Sequence, residues 1–194
     1  MTGRPPDVVD LLSADHHELA RLVTELESGD LVPADRGRLA EVVVAELVRH
    51  SVAEEEYLYP AAKEALPDSG PVTDRGLSTH RETEAAMKRL QATSAGTPEF
   101  DAQVRQLAVL VRDHIEVEET SLLPRLRAEC DPAELRRLAV LVGMARDAAP
   151  TRPHPSVPHR PPWNLLLSPG MGIVDRLRDA LGHRPTRPDD VFWA

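Results

Sequence analysis

The sequence predicts an all-α protein: an up-down-up-down four-helix bundle with an additional short helix and a Pro-rich tail. Apolar residues recur at steps of three and four over long segments, which is the period of one helix face. Aromatic residues make up only 3% of the chain, so the core must consist of Leu, Val and Ala, which suit helices better than sheets. Short connections separate the segments, and helices joined in this way pack as antiparallel neighbours.

Five helical segments follow from this pattern and from the residues that punctuate it. They are predicted over residues 7–27, 33–65 and 73–93, from residue 97 onward and, as a shorter helix, after residue 131. Thr97 is a capping residue followed by proline at the first helical position, and Asp131 begins a second such arrangement. Pro60 and Pro124 lie near the ends of the second and fourth helices, and we expect each proline to bend or end its helix.

The last 45 residues differ in composition from the rest of the chain, because they contain half of its 18 prolines. We therefore predict two units. Residues 5–148 form the helical bundle, and residues 149–194 form a Pro-rich linker with a short amphipathic helix at 173–181. The linker is expected to be extended, and residues 150–194 are the segment through which a protein partner would bind.

A weak internal duplication relates the two halves of the bundle at an offset of 64 residues. The offset pairs His16 with His80 and His50 with His114. In both longer copies, Glu follows the histidine at four and at five residues, and Pro follows it at ten. A helical hairpin used twice gives a bundle with approximate two-fold symmetry, which brings equivalent side chains face to face at the centre.

Three His–Glu pairs and one further histidine lie on the apolar faces of these helices. Residues four apart are neighbours on one face of a helix, so a His and a Glu at that spacing can bind the same metal centre. Carboxylates and imidazoles are costly to bury unless they are paired or bound to a cation. The predicted metal ligands are therefore His16, His50, Glu54, His80, Glu84, His114 and Glu118.

The number and type of these ligands favour two metal ions. Two octahedral ions offer about twelve coordination positions. Two bridging Glu, five other side chains and a bridging oxygen from water leave one position for a small ligand such as dioxygen or peroxide. The chain has one cysteine, which excludes a thiolate cluster, and imidazole with carboxylate indicates iron, with manganese as the alternative.

Four segments of the sequence resemble the haemerythrin-like (HHE cation-binding) family. DLLSADHHEL is similar to the family's leading histidine segment, and HSVAE, HRETE and HIEVE are similar to its later His–carboxylate helices. The resemblance covers residues 5 to 130. It implies a four-helix bundle that holds two iron ions with a bridging oxo or hydroxo group, and the seven residues above would be the ligands.

The sequence departs in two places from the family's oxygen-carrying members. Their third helix usually supplies two histidines, whereas this chain has His80 and Glu84. Their fourth helix usually spaces His and Asp by five, whereas Glu118 lies four and Glu119 five residues after His114. An additional carboxylate stabilises ferric iron. This departure favours peroxide decomposition of the catalase type, or redox and iron sensing, over reversible oxygen carriage.

Three further residues are candidates for a role around the metal ions rather than as ligands. Tyr57 lies three residues after Glu54, so its hydroxyl is a candidate to face the site and bind a ligand or relay an electron, and a position in the apolar core is the alternative. Glu55 and Glu119 are expected to be solvated, and the alternative for both is that they accept hydrogen bonds from ligating imidazoles.

Charge and hydropathy exclude several classes of partner. The net charge of the chain is −9. Residues 150–194 contain six Arg and four Asp, which give them a charge of +2, so the rest of the chain carries −11. A domain this acidic is not expected to bind nucleic acid. No apolar run is long enough for a membrane span and no signal sequence is recognisable, which predicts a cytoplasmic protein with no membrane contact.

Three functions remain open at this point. The first is a di-iron protein that reacts with peroxide or oxygen, possessing catalase-like or other redox activity. The second is a non-catalytic iron or oxygen sensor, or an oxygen-binding protein, that signals through its C-terminal tail. The third is a metal-free structural adaptor, in which the His and Glu residues are incidental.

Overall fold

The computed structural model of the protein describes residues 6–153, 175, 178–180, 182 and 184–192. Within these residues the regular structure is helical and contains no strand, as predicted. The principal helices are α1 (Val8–Ser28), α2 (Pro33–Ala53), α3 (Tyr59–Ala65), α4 (Gly70–Gln91), α5 (Pro98–Val117), α6 (Leu123–Glu129) and α7 (Pro132–Ala148). Two π-helical turns, Glu54–Leu58 and Glu118–Leu122, connect α2 to α3 and α5 to α6.

Local sequence fixes both ends of α1. The Asp7 carboxylate accepts hydrogen bonds from the backbone N–H groups of Val9 and Asp10, and the Asp10 side chain accepts one from the Asp7 N–H. This reciprocal cap satisfies donors that would otherwise be unpaired at the helix start. Gly29 ends the helix with φ of 72°, a left-handed conformation that glycine adopts without the steric cost of a Cβ.

The predicted second helix, residues 33–65, is helical throughout, but its turns are not uniform. At its π turn the Tyr59 N–H donates to the Glu54 carbonyl five residues earlier, instead of four. The same bond joins Leu123 to Glu118 in the second copy. Each π turn lies just before a proline, Pro60 or Pro124, so the helix restarts with the proline in its first turn and neither proline ends it.

The remaining predicted helices are confirmed with small shifts at their ends. The third runs over Gly70–Gln91, which places its start three residues before the predicted one. Thr97 caps α5 by accepting a hydrogen bond from the Phe100 N–H, and Asp131 caps α7 by accepting one from the Ala133 N–H. Since α1 contacts α2, α5 and α7, and α4 contacts α5, the helices enclose a common interior.

Two apolar clusters fill that interior at different levels along the bundle. The first contains residues from the later half of α1, from α2, from the end of α4 and from α5, among them Leu22, Leu39, Val43, Leu90 and Leu107. The second contains residues from the start of α1, from both π turns and from α3, α6 and α7, among them Leu12, Leu58, Leu122 and Val142. The segments of α1, α2, α4 and α5 that lie between the two clusters, together with the first residues of the two π turns, carry the predicted His and Glu ligands.

The described part of the tail contacts the outside of α2. Arg184 Nε donates to Glu41 Oε2 at 2.5 Å. Arg49 donates to the Thr186 carbonyl at 2.6 Å, and Arg38 to the Asp190 carbonyl at 2.8 Å. The predicted extended linker and most of the predicted helix at 173–181 lie outside the described residues. Among the helices that are described, none combines the length and the apolar character that crossing a membrane requires.

Candidate metal centre

Six ionisable side chains meet in the interior between the two apolar clusters, and each is less than a tenth exposed. Each half of the duplicated sequence supplies three of them. We refer to this set as the buried centre: His16 from α1, His50 from α2, Glu54 from the first π turn, His80 from α4, His114 from α5 and Glu118 from the second π turn.

The Glu54 carboxylate lies in the middle of the buried centre and is fully buried. All four imidazole Nε2 atoms face it. His50 Nε2 is 3.1 Å and His16 Nε2 is 3.7 Å from Glu54 Oε1. His80 Nε2 and His114 Nε2 are 3.2 and 3.3 Å from Glu54 Oε2. One carboxylate is thus within reach of ligand atoms from four different helices.

The arrangement of these atoms fits a metal ion. Among the buried polar atoms without a hydrogen-bond partner are three that belong to ligand candidates in the buried centre, namely His16 Nε2, Glu54 Oε1 and Glu118 Oε2. His16 Nε2 nevertheless lies only 3.6 Å from Glu118 Oε2. Unpaired polar atoms are expensive to bury, and three that face one another are satisfied together by a bound cation. Ligand atoms of four residues all lie within 4.8 Å of one another: His16, His50, Glu54 and His114.

Two carboxylates outside the buried centre orient two of its imidazoles. His16 Nδ1 donates to Glu119 Oε1 at 2.6 Å, and His80 Nδ1 donates to Glu55 Oε1 at 2.8 Å. The two contacts are related by the offset of 64 residues, so the same contact occurs in both halves of the duplication. A hydrogen bond at Nδ1 fixes the tautomer that leaves the Nε2 lone pair free for a metal. Glu55 and Glu119 therefore contact imidazoles, which was the alternative to the solvated positions expected for them.

The model for the Hemerythrin HHE cation binding domain matches residues 7–126, which is more than half of the chain. The chain belongs to this cation-binding family. The match includes every member of the buried centre and both π turns, and it ends before α7 and the tail. The resemblance to haemerythrin-like proteins predicted from the sequence is thus confirmed.

Two curated relatives of this haemerythrin-domain protein are similar over much of its length. An uncharacterized hemerythrin-like protein of Schizosaccharomyces pombe is 26% identical over 180 residues, which is 92% of this chain and 88% of the relative. A DNA nickase of Nostoc is 30% identical over 124 residues, which is 62% of this chain and only 34% of the relative. No solved structure matches the chain.

Tyr59 is a member of the haemerythrin-domain site that the sequence pattern did not reveal. Its hydroxyl donates to Glu118 Oε1 at 2.8 Å, and the oxygen lies 3.4 Å from His80 Nε2. Gly76 makes room for it, because a Cβ at that position would overlap the Tyr59 Oη and Cζ atoms. The offset of 64 places Leu123 at the equivalent position in the other half, so the two halves differ here.

The π turn explains why Tyr59, and not Tyr57, reaches the site. It adds one residue to the turn after Glu54 and thereby moves the inward-facing position to the fifth residue. Tyr57 is half-buried and packs against the second apolar cluster. The signal in the sequence was Pro60, since a proline inside a continuing helix requires a local change in its hydrogen bonding.

Glu84 lies apart from the buried centre. Its side chain is half-buried on α4, and Lys88 Nζ donates to its Oε1 at 2.5 Å. His80, one turn earlier on the same helix, is within the centre. The structure therefore brings together six of the seven predicted ligands, and a ligand role for Glu84 stays a prediction.

Burial and neighbouring charges separate the pKa values of the two carboxylates. Burial opposes ionisation of Glu54, but the four surrounding imidazoles outweigh it and hold the Glu54 pKa well below its usual range. Burial and the adjacent Glu54 charge raise the pKa of Glu118 well above its usual range. Burial and both carboxylates likewise raise the pKa of Tyr59. Glu118 and Tyr59 therefore favour their protonated, neutral forms beside the Glu54 charge.

The imidazoles also separate into two types. Burial opposes protonation of His80, but Glu54 and Glu55 outweigh it and raise its pKa to about 9. Burial dominates at His114 and lowers its pKa to about 4, despite the hydrogen bond with Glu54. Metal binding requires neutral imidazole, so His114 is ready to bind at neutral pH, whereas His80 must release a proton.

Proposed function

We propose that this chain is a non-haem di-iron protein whose centre reacts with hydrogen peroxide or dioxygen. The observation that carries the proposal is the buried centre, in which three unpartnered ligand atoms face one another. The proposal goes beyond cation binding in naming the metal, the number of ions and the small molecule.

The duplicated structure supports two ions rather than one. His16, His50 and Glu54 form one ligand set, and His80, His114 and Glu118 form its equivalent 64 residues later. Glu54 contacts imidazoles from both sets, as a bridging carboxylate would. Imidazole and carboxylate without thiolate suit iron or manganese. Tyr59 adds a phenol oxygen beside the second ligand set only. Glu84 would become a further ligand if its contact with Lys88 were broken.

The chain's own residues prepare the site but contain no redox group of their own. Glu55 and Glu119 orient imidazoles, Glu54 holds negative charge in the interior, and the two apolar clusters exclude bulk water on either side. Bound iron would supply the Lewis acidity and the electron transfer that peroxide or oxygen chemistry needs.

The two relatives do not extend this proposal to nucleic acid. The yeast protein has no described activity in its name. The nickase matches over only a third of its own length, and the domain matched here belongs to the acidic part of this chain. Phosphate-backbone binding requires clustered positive charge, so we do not propose nicking for this chain.

Replacing Tyr59 by Phe is expected to change the reaction with peroxide, whereas replacing Tyr57 by Phe is not. Tyr59→Phe removes the hydroxyl that donates to Glu118 and leaves the apolar packing of the ring intact. Tyr57→Phe is a matched control, because it removes a hydroxyl two residues away from a ring that packs against the second apolar cluster. We expect Tyr59→Phe to lower turnover by about 10-fold or more, the scale of losing one positioned polar group at a reacting centre.

The measurement is oxygen release from hydrogen peroxide by the iron-loaded protein. Decomposition yields one dioxygen and two waters from two peroxides, so an oxygen electrode reads the reaction directly. Equal rates for both variants would rule out a role for Tyr59. Absence of oxygen release from the iron-loaded wild type would rule out peroxide decomposition.

The second candidate function is a sensor that signals through its tail, and the docking of residues 184–191 on α2 favours it. Arg49, one residue before His50, donates to the Thr186 carbonyl, so the tail is fixed to the helix that carries His50 of the buried centre. In this case iron should slow hydrogen exchange in residues 184–192, with no peroxide turnover. Unchanged exchange on loading would exclude the sensor.

A further inference from the structure

Asp15 is a buried acidic residue that no part of the proposed ligand set uses. It lies on α1 next to His16, and its two carboxylate oxygens have different surroundings. Oδ1 accepts a hydrogen bond from Arg146 Nη1 at 2.5 Å. Oδ2 is buried and has no hydrogen-bond partner. A buried oxygen of this kind requires an explanation, because leaving it unpaired is costly.

His50 provides the complementary unpaired group. Its Nδ1 is also buried and without a hydrogen-bond partner, and it lies 3.9 Å from Asp15 Oδ2. Its Nε2 points to Glu54 in the buried centre. The distance between Nδ1 and Oδ2 is about 1 Å longer than a hydrogen bond, so a small closing movement would pair the two atoms.

The other imidazoles show what such a pairing does. His16 and His80 already donate from Nδ1 to Glu119 and Glu55. Asp15 would give His50 the same kind of partner, but it does not derive from the duplication. The equivalent residue is Thr79, whose hydroxyl donates to the Arg75 carbonyl instead.

We propose that Asp15, held by Arg146 of α7, is a positioning residue for His50. It accepts the Nδ1 hydrogen and so fixes the tautomer whose Nε2 lone pair faces the metal. Arg146 holds the carboxylate through Oδ1, which leaves Oδ2 on the side of the imidazole. Arg146 lies beyond residues 7–126, so this chain adds to the family's domain a helix that acts on the metal centre. This inference rests on the proposed metal centre.

A purely structural reading is the competing explanation, since the Asp15–Arg146 pair also joins α1 to α7. Asp15→Asn separates the two readings. Arg146 needs an acceptor, so the amide oxygen would face Arg146 and the amide NH2 would face His50. A donor would then oppose the Nδ1 donor and disfavour the tautomer that binds metal.

The experiment compares the affinity of the full chain for Co²⁺, by competition with a chelator, in wild type, Asp15→Asn and Glu18→Gln. Glu18 is the matched control, because it is an acid on the same helix that also pairs with an arginine, Arg21, but is exposed. We expect Asp15→Asn to weaken binding by about 10- to 100-fold, as loss of an outer partner of a ligating histidine does. Glu18→Gln should bind like wild type.

A second readout detects the imidazole itself. In the Co²⁺-loaded protein with ¹⁵N-labelled histidine, the ring N–H signals are shifted by the metal, and Asp15→Asn should alter one of them while the signals of His16 and His80 persist. A merely structural role would leave these signals unchanged. If Asp15→Asn does not fold, Arg146→Gln keeps the carboxylate and should show a smaller loss of affinity.

The outcomes separate the role of Asp15 from the existence of the metal centre. If wild type, Asp15→Asn and Glu18→Gln bind Co²⁺ equally and show the same ring N–H signals, the role of Asp15 is overturned while the metal centre stands. If wild type does not bind Co²⁺, iron or manganese, both proposals fail together.

Discussion

Replacing Glu54 by Gln is expected to remove metal binding from the protein, with a loss of affinity greater than about 100-fold, the upper end of what loss of an outer partner causes. The reason is the central position of this carboxylate. Imidazole nitrogens from four helices face its two oxygens at 3.1 to 3.7 Å. Gln preserves the shape of the side chain but removes the negative charge that attracts the cation into a buried site.

Two matched variants make this result specific. Glu64→Gln changes an exposed acid on the following helix and should bind metal like wild type. Glu84→Gln tests the seventh ligand that the sequence predicts, since this residue pairs with Lys88 outside the centre. Affinities are measured by chelator competition. Wild-type affinity in Glu54→Gln would contradict the assignment of the site.

The metal-free protein is expected to lose stability as the pH rises from 6.5 to about 9, by about 3 kcal/mol from His80 alone. The folded-state pKa of His80 is raised from 6.5 to about 9, so its contribution is fully present below 6.5 and is lost as the pH passes through that window. Glu118 acts in the same direction, because its pKa is also raised and a buried anion must form. The lowered pKa of His114 changes the stability only below pH 6.5, so it does not offset the loss above that pH.

Metal should reverse this dependence. Since metal binds the deprotonated imidazole, binding releases protons and strengthens as the pH rises through the same window. Urea unfolding of metal-free and Mn²⁺-loaded protein at both ends of the window measures both slopes. His80→Gln is the control and should flatten the metal-free slope. A metal-free protein that is equally stable at both ends would contradict the assigned environment of His80.

The helix periodicity predicted most of the site because its ligands repeat with the helix. His50 and Glu54 share a face of α2 at a spacing of four, and the offset of 64 places their equivalents opposite them. The apolar character of these faces predicted the metal, because buried acids require a cation. The fold, the helix ends near Thr97 and Asp131 and six of the seven predicted ligands in one centre follow from these local rules.

What the sequence did not reveal depends on departures from the ideal helix and on distant contacts. The π turn adds one residue after Glu54, so the fifth residue, Tyr59, faces inward, whereas the sequence indicated the third, Tyr57. The pair of Asp15 and Arg146 joins residues 131 apart in the sequence, which no periodicity can reveal. Position on a helix face identifies which residues point inward, but not which of them meet.

Metal analysis of the protein as isolated, together with its optical spectrum, tests the central claim most directly. The six buried side chains and their duplicated arrangement predict about two iron ions per chain, with an absorption band typical of oxygen-ligated ferric iron. His50→Ala combined with His114→Ala should abolish both signals. A wild-type chain that holds no iron or manganese after metal loading, and gains no thermal stability from either, would contradict the account.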